Sequence, residues 1–238
     1  MGKVVTFADL PYRDSGAGVK RARFTGEEMK QISAEIIRLA PGATLAESVP
    51  AGSDRYLFTL TGGATLTESG RTHAMAEEAC AAIQEGSRFT VTNPGAAEIE
   101  LLSVVAPPPG SGFKAAGFAG GISVAARATA PVHDVPEQKK RRIYFVGKEA
   151  AQTERAHAMI VLYVEDTVTG LHKHPNAESM FVLLSGKTRF TVNGEDVIVQ
   201  RGQATCFPMG DRHGLRTAEG DVSFLEFHLP ARYVTVRD

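Results

Sequence analysis

The stretch Gly170–Gly186, GLHKHPNAESMFVLLSG, decides how the second half of this chain is read. On a strand, residues two apart point to the same face, so His172 and His174 aim two imidazoles one way and Lys173 the other. Glu178, at the head of the apolar run SMFVLLS, can add a carboxylate oxygen. A second stretch, Gly202–His213 (GQATCFPMGDRH), brings His213 in from another strand after the turn Pro208-Met209-Gly210-Asp211. Three imidazoles and one carboxylate suit one divalent transition metal (Mn, Fe, Ni, Cu, Co or Zn) and not Ca or Mg, which take all-oxygen sets. Four protein ligands would leave one or two positions open, as a catalytic site requires.

Around these residues the chain reads as short strands separated by turn signals about every 8 to 12 residues, the pattern of a sandwich or barrel. The runs are AMIVLYV (158–164), SMFVLLS (179–185), TRFTV (188–192), DVIVQ (196–200), ATCFP (204–208) and VSFLEFHL (222–229). Asn193-Gly194 between two of them is a type I′ hairpin signal. One short helix is expected, around Thr25–Lys30 (TGEEMK). The Pro- and Gly-rich stretch from Pro107 to Gly121 reads as a linker. The predicted division is residues 1–106, a linker over 107–140, and 141–238. The halves also repeat. With Gly62 set opposite Gly186, RYLFTLTGGATLT lies against SMFVLLSGKTRFT, and IIRLAPGATL against IVLYVEDTVT. A repeat of this size points to duplication. At the same offset Ser48, Pro50 and Asp54 stand where His172, His174 and Glu178 stand, so one copy alone keeps metal-ligand chemistry.

On these residues the chain resembles the cupin superfamily. GLHKHPNAESMFVLLSG looks like its first motif, and GQATCFPMGDRH like its second. The first motif departs in two places. Asp166 stands where the family has its opening Gly, and seven residues rather than six separate Glu178 from Gly186. Counting back strictly from Gly186 puts Ser179 in the fourth ligand slot. Keeping Glu178 there needs a one-residue bulge, which barrel rims often carry; both residues stay open for that position. In the second motif, Thr217 replaces an Asn often found after the histidine. The resemblance implies an all-β fold of two cupin barrels (double-stranded β-helix, or jelly-roll) in tandem, the first degenerate and without metal ligands. Among bicupins with one inactive barrel, the architecture is similar to the (S)-ureidoglycine aminohydrolase family of manganese enzymes. That family's Glu-His-His-Gln set differs from this chain at His172, Glu178 and His213.

The resemblance implies a divalent-metal-dependent enzyme acting on a small polar metabolite (a carboxylate, enol or keto compound), with the metal as Lewis acid or O2-activating centre. A non-catalytic cupin that binds metal or a small ligand is the alternative. On the last strand run, Phe224, Glu226 and His228 share one face; if that face looks inward, Glu226 and His228 are candidate acid–base residues. Tyr163, Met180, Arg189 and Arg216 are candidate substrate-binding residues, the arginines through a substrate carboxylate. Cupins often pair through apolar faces, so a homodimer is expected, with Phe181, Leu183, Phe227 and Leu229 as the contact.

Composition narrows the remaining classes. The 238 residues carry a formal net charge of −1, with 43% hydrophobic residues, which offers no electrostatic footprint for nucleic acid. The longest basic run, Lys139-Lys140-Arg141-Arg142, reads as a solvated turn before a strand. No apolar stretch is long enough to cross a bilayer, and no secretory pattern opens the chain. Two cysteines, Cys80 and Cys206, cannot build a disulfide framework and are expected to be reduced, in the cytoplasm.

Overall fold

The computed structural model describes residues 1–147 and 150–237, and their regular secondary structure is almost entirely strand. Two barrels stand side by side. The first is a seven-stranded sheet facing a four-stranded sheet. The second is one continuous ten-stranded sheet that folds over on itself. The difference lies in two long strands, Glu178–Val192 and His213–Leu229, which pass from one wall of the second barrel to the other. Their shared register shifts between Leu183 and Ser185 and again up to Thr188. Such irregularities bend a strand and re-aim its side chains. Gly186 sits at this corner with φ +73°, where an added Cβ would lie 2.3 Å from the Asp221 carbonyl oxygen. In the first barrel the equivalent chain breaks at Gly62, between the separate strands Asp54–Thr61 and Ala64–Glu68.

Alternation along each central strand divides its side chains between two cores. In the second barrel Phe181, Leu183, Phe190 and Phe224 fill the interior. Met180, Val182, Leu184, Leu225, Phe227 and Leu229 face the other way and pack against Tyr56, Phe58 and Leu60 of the first barrel. The predicted dimer contact therefore dissolves: Phe181 and Leu183 are interior, while Phe227 and Leu229 are covered by this chain's own first barrel. Met180, expected in a substrate pocket, belongs to the same inter-barrel core.

The barrels also exchange strands. Lys3–Thr6 pairs with Gln203–Phe207 of the second barrel, and Ile122–Ala126 pairs with Ala79–Ile83 of the first. The stretch expected to be a plain linker thus supplies an edge strand to the first barrel, and Val132–Val135 pairs with Lys140–Val146 of the second. Each added strand covers an edge that would otherwise be open to unwanted pairing.

Two buried carboxylates fasten the barrels together. Glu178 accepts backbone N–H bonds from Lys30 (2.5 Å), Gln31 (2.9 Å) and Ile32 (2.9 Å) of the first half. This is why Thr25–Lys30 forms no helix: its end is shaped as a loop whose amides serve Glu178. Asp54, at the equivalent place in the first barrel, accepts from Phe118 N (2.9 Å) of the connecting stretch and from Thr153 Oγ1 (2.7 Å) and Arg155 (2.9 Å) of the second half. Removing one partner of a buried ion pair strands the other charge, at a cost of about 3–5 kcal/mol. Arg155→Ala is expected to lower the unfolding free energy by about 3 kcal/mol, read as a drop in the midpoint of urea unfolding.

Candidate metal centre

The site is built where the strand Val168–Lys173 meets the first residues of His213–Leu229. His172 and His213 lie directly opposite each other in that pairing, just past a register shift between Thr169 and His172. His174 follows at the turn into Glu178–Val192. The three rings converge, with centroids 4.4 Å apart for His172 and His213, 5.1 Å for His172 and His174, and 5.3 Å for His174 and His213. One nitrogen from each lies within 4.8 Å of the others, and all three residues are buried. Phe207 stacks on His213 at 4.4 Å and fixes its plane.

Each imidazole is oriented by a backbone carbonyl. Nδ1 of His172 bonds to Gly170 O (2.9 Å), that of His174 to Val234 O (3.0 Å), and that of His213 to Asp211 O (3.1 Å). A carbonyl can only accept, so each Nδ1 carries the proton and each Nε2 keeps a free lone pair. Nε2 of His213 is buried without any partner, a cost explained if a cation takes it. Burial, the largest influence on all three, disfavours the imidazolium: it lowers His172, holds His174 to about 4 and His213 to about 3. The donor set is therefore neutral at pH 7, the state in which imidazole binds a metal. The three residues fit a borderline divalent ion.

Glu178 does not join them. Its carboxylate is committed to the backbone amides of Lys30, Gln31 and Ile32, on the opposite face of its strand. The pairing from Glu178 to Leu183 runs without a register shift, so Ser179, in phase with Phe181 and Leu183, occupies the inward position. Ser179 Oγ lies 2.9 Å from His228 Nδ1, and His228 Nε2 lies 2.5 Å from Glu226 Oε1. Burial opposes ionisation of Glu226, but His228, by its charge and hydrogen bond, outweighs it and holds the carboxyl below its usual range. Tyr233 stacks on His228 at 4.0 Å. The last strand thus presents Phe224, Glu226 and His228 to the interior, and a row Ser179–His228–Glu226 stands beside the three histidines.

Tyr163 also lines the cavity, with its hydroxyl 2.6 Å from Thr169 Oγ1. Arg189 and Arg216 do not. Arg216 points outward to Asp196 at 3.0 Å, and Arg189 lies outside the residues that line the cavity. Cationic groups do reach it from a direction the sequence reading missed. On the strand Lys140–Val146, Lys140 and Arg142 face the cavity, while Arg141 turns outward to Asp134. Tyr233, Thr235 and Arg237 come from the segment after His213–Leu229, whose last two described residues pair with His172 and Lys173. The first group had a legible signal, since 140, 142 and 144 alternate on a strand. The second had none, because nothing local marks where that segment returns.

The first barrel closes the same space with its own side chains. Glu47 pairs opposite Phe89 as His172 pairs opposite His213. The register shift after Thr169 moves this match by one residue from the Ser48 expected by simple offset. Glu47 forms ion pairs with Arg21 and with Arg55, and Arg21 also binds Glu35.

Residues 159–228 match the family model for the cupin domain. No curated protein matches the sequence. Three solved structures share the fold along nearly the whole chain. The protein Ylba from E. coli superposes with a TM-score of 0.77 at 12% identity, over 99% of this chain and 93% of that one. The oxalate decarboxylase of Lactobacillus farciminis gives 0.75 at 15% identity, over 98% and 88%. That of Bacillus subtilis, described through its Mn(II) centres, gives 0.72 at 14%, over 98% and 78%. Among the described residues, no helix is long and apolar enough to cross a membrane.

Two substitutions separate ligand from fastener. His213→Ala is expected to abolish stoichiometric metal binding. Glu178→Gln is expected to keep the metal while losing about 1–3 kcal/mol of stability, because an amide nitrogen would face backbone donors. Metal analysis and thermal unfolding of both variants check this.

Proposed function

We propose that the second barrel is a metal-dependent enzyme site, in which one divalent transition metal is held by His172, His174 and His213 and a small polar metabolite is converted beside it. The observation that carries this reading is the common aim of three neutral imidazoles, each pinned at Nδ1 and free at Nε2, into a small cavity. With three protein ligands, positions remain for substrate or water. A bound divalent ion would supply Lewis acidity there, polarising a carbonyl or lowering the pKa of water.

The protein's own part follows from the row beside the histidines. Glu226 fixes the His228 ring and favours a proton on its Nε2. His228 Nδ1 lies within hydrogen-bond reach of the Ser179 hydroxyl, so this pair can give or take a proton at the cavity wall. Tyr233 lies flat on His228 and keeps bulk water from that ring. Phe181 and Leu215 make the remaining wall apolar, as small-molecule sites usually are. The manganese of the structurally similar Bacillus subtilis oxalate decarboxylase supports manganese as the first metal to try.

Purified protein is expected to carry about one transition metal per chain, and His172→Ala to lose it together with turnover of keto acids, enols or carboxylates. Retained metal with no turnover across such a panel would favour a binding module instead. The metal should also resist acid. Protons compete for a ligand only below its folded-state pKa, so occupancy is expected to persist as pH falls through the ordinary histidine range near 6.5. It should fall once pH passes below the lowered value of His172 and be lost by the value of about 4 held by His174. Metal content after dialysis across this range checks it.

A further inference from the structure

The two barrels are copies, and the closed one shows what the open one lacks. Arg21 lies beside Ile37, Ile37 beside Leu101, and Leu101 beside Thr59. Arg142 lies beside Val161, Val161 beside Phe224, and Phe224 beside Leu183 in the same succession. Thr59 and Leu183 stand equally far before Gly62 and Gly186, so Arg21 and Arg142 occupy one place in the repeated fold. In the first barrel two carboxylates, from Glu35 and Glu47, meet that guanidinium. In the second, the register puts Met159 where Glu35 stands and His172 where Glu47 stands. The arginine has been kept and both of its acids are gone.

One carboxylate, Glu226, stands nearby, opposite Met159. Among the described residues, Arg142 has no ion-pair partner, and neither do Lys140 and Arg237, which line the same cavity. Lys140 donates to the neutral Thr169 hydroxyl at 2.9 Å. Glu226, the acid of the cavity wall, is taken by His228. Three cations around one recess, facing neutral imidazoles, outnumber its one carboxylate, Glu226, and leave the pocket electropositive. The cavity is small, about 90 Å3, against the roughly 300–1,000 Å3 of pockets for drug-sized ligands.

We propose that the ligand of the second barrel is a small carboxylic acid whose carboxylate takes the place held in the first barrel by Glu35 and Glu47, bound by Arg142 with Lys140 and Arg237, while its other end reaches the metal's open positions. This deepens the reading of a metal-dependent site and rests on it. Arg142, and not the exposed Arg189 or Arg216, is then the residue that selects for an acid. Its planar guanidinium can take both carboxylate oxygens. Arg237, carried on the segment that pairs with His172, closes the pocket from the other side.

The test is calorimetric titration of the manganese-loaded full chain with malonate and with pyruvate, 1,3-propanediol serving as the uncharged control and metal content measured on the same samples. At least one acid should bind and the diol should not. Arg142→Gln should weaken acid binding about tenfold or more, and Arg237→Gln by a smaller factor, with metal content unchanged in both. If Arg142→Gln fails to fold, Lys140→Gln and Arg237→Gln together carry the same expectation. Three results overturn the proposal while leaving the metal reading intact: unweakened acid binding by the variants, equal binding of the diol, or no binding of either acid to protein holding one metal per chain. A chain that takes up no manganese yet binds malonate in an Arg142-dependent way would instead sink the metal reading and uphold the acid site.

Discussion

Three backbone amides from one half of the chain converge on a single carboxylate of the other, and the geometry of the whole site follows from that contact. Glu178 is buried, so its charge requires compensation in place. Lys30, Gln31 and Ile32 give it by forming a turn in place of a helix. Because strand side chains alternate, fixing Glu178 toward the first barrel fixes Ser179, Phe181 and Leu183 toward the interior of the second. Asp54 performs the reciprocal service with Arg155, Thr153 and the Phe118 amide. The two acids, at equivalent places in the repeat, bind Lys30, Gln31 and Ile32 just before Ser33–Leu39, and Thr153 and Arg155 just before His157–Tyr163. Inter-barrel docking and inward-facing chemistry are thus two faces of the same strands.

Duplication was resolved differently in the two copies. The first barrel holds Arg21, Glu35, Glu47 and Arg55 at this place, charges that pair with one another. Phe89 replaces the ring that His213 supplies in the second. There His172 stands where the first barrel has Glu47, and Met159 where it has Glu35. The exchanged edge strands and the shared apolar core around Tyr56, Phe58 and Phe227 hold the two outcomes in one body.

How much of this was legible in the sequence depended on whether the information was local. The all-β character, the repeat about Gly62 and Gly186, and the convergence of His172, His174 and His213 all follow from alternation and turn chemistry, which act over a few residues. The fourth ligand did not. Seven residues between Glu178 and Gly186 pointed to Ser179, and chemical preference for a carboxylate argued against the count. Ser179 faces inward, as the count has it, because a distant loop holds Glu178 toward the first barrel. Met180 and the pair Phe227 and Leu229 were misplaced for the same reason: periodicity tells that two faces exist, not which neighbour each one meets.

By itself, then, the sequence determined the strands, their faces, the duplication and the three histidines, since each rests on the period of two along a strand or on the φ that a turn demands. The tertiary structure alone decided that Glu178 is a fastener, that His228 and Glu226 stand beside the histidines, and that Lys140, Arg142 and Arg237 ring the pocket. Those facts depend on which strands lie next to each other and on where segments far apart in the chain return. They are set by the burial of charge and apolar surface across the whole fold, and no window of sequence contains them.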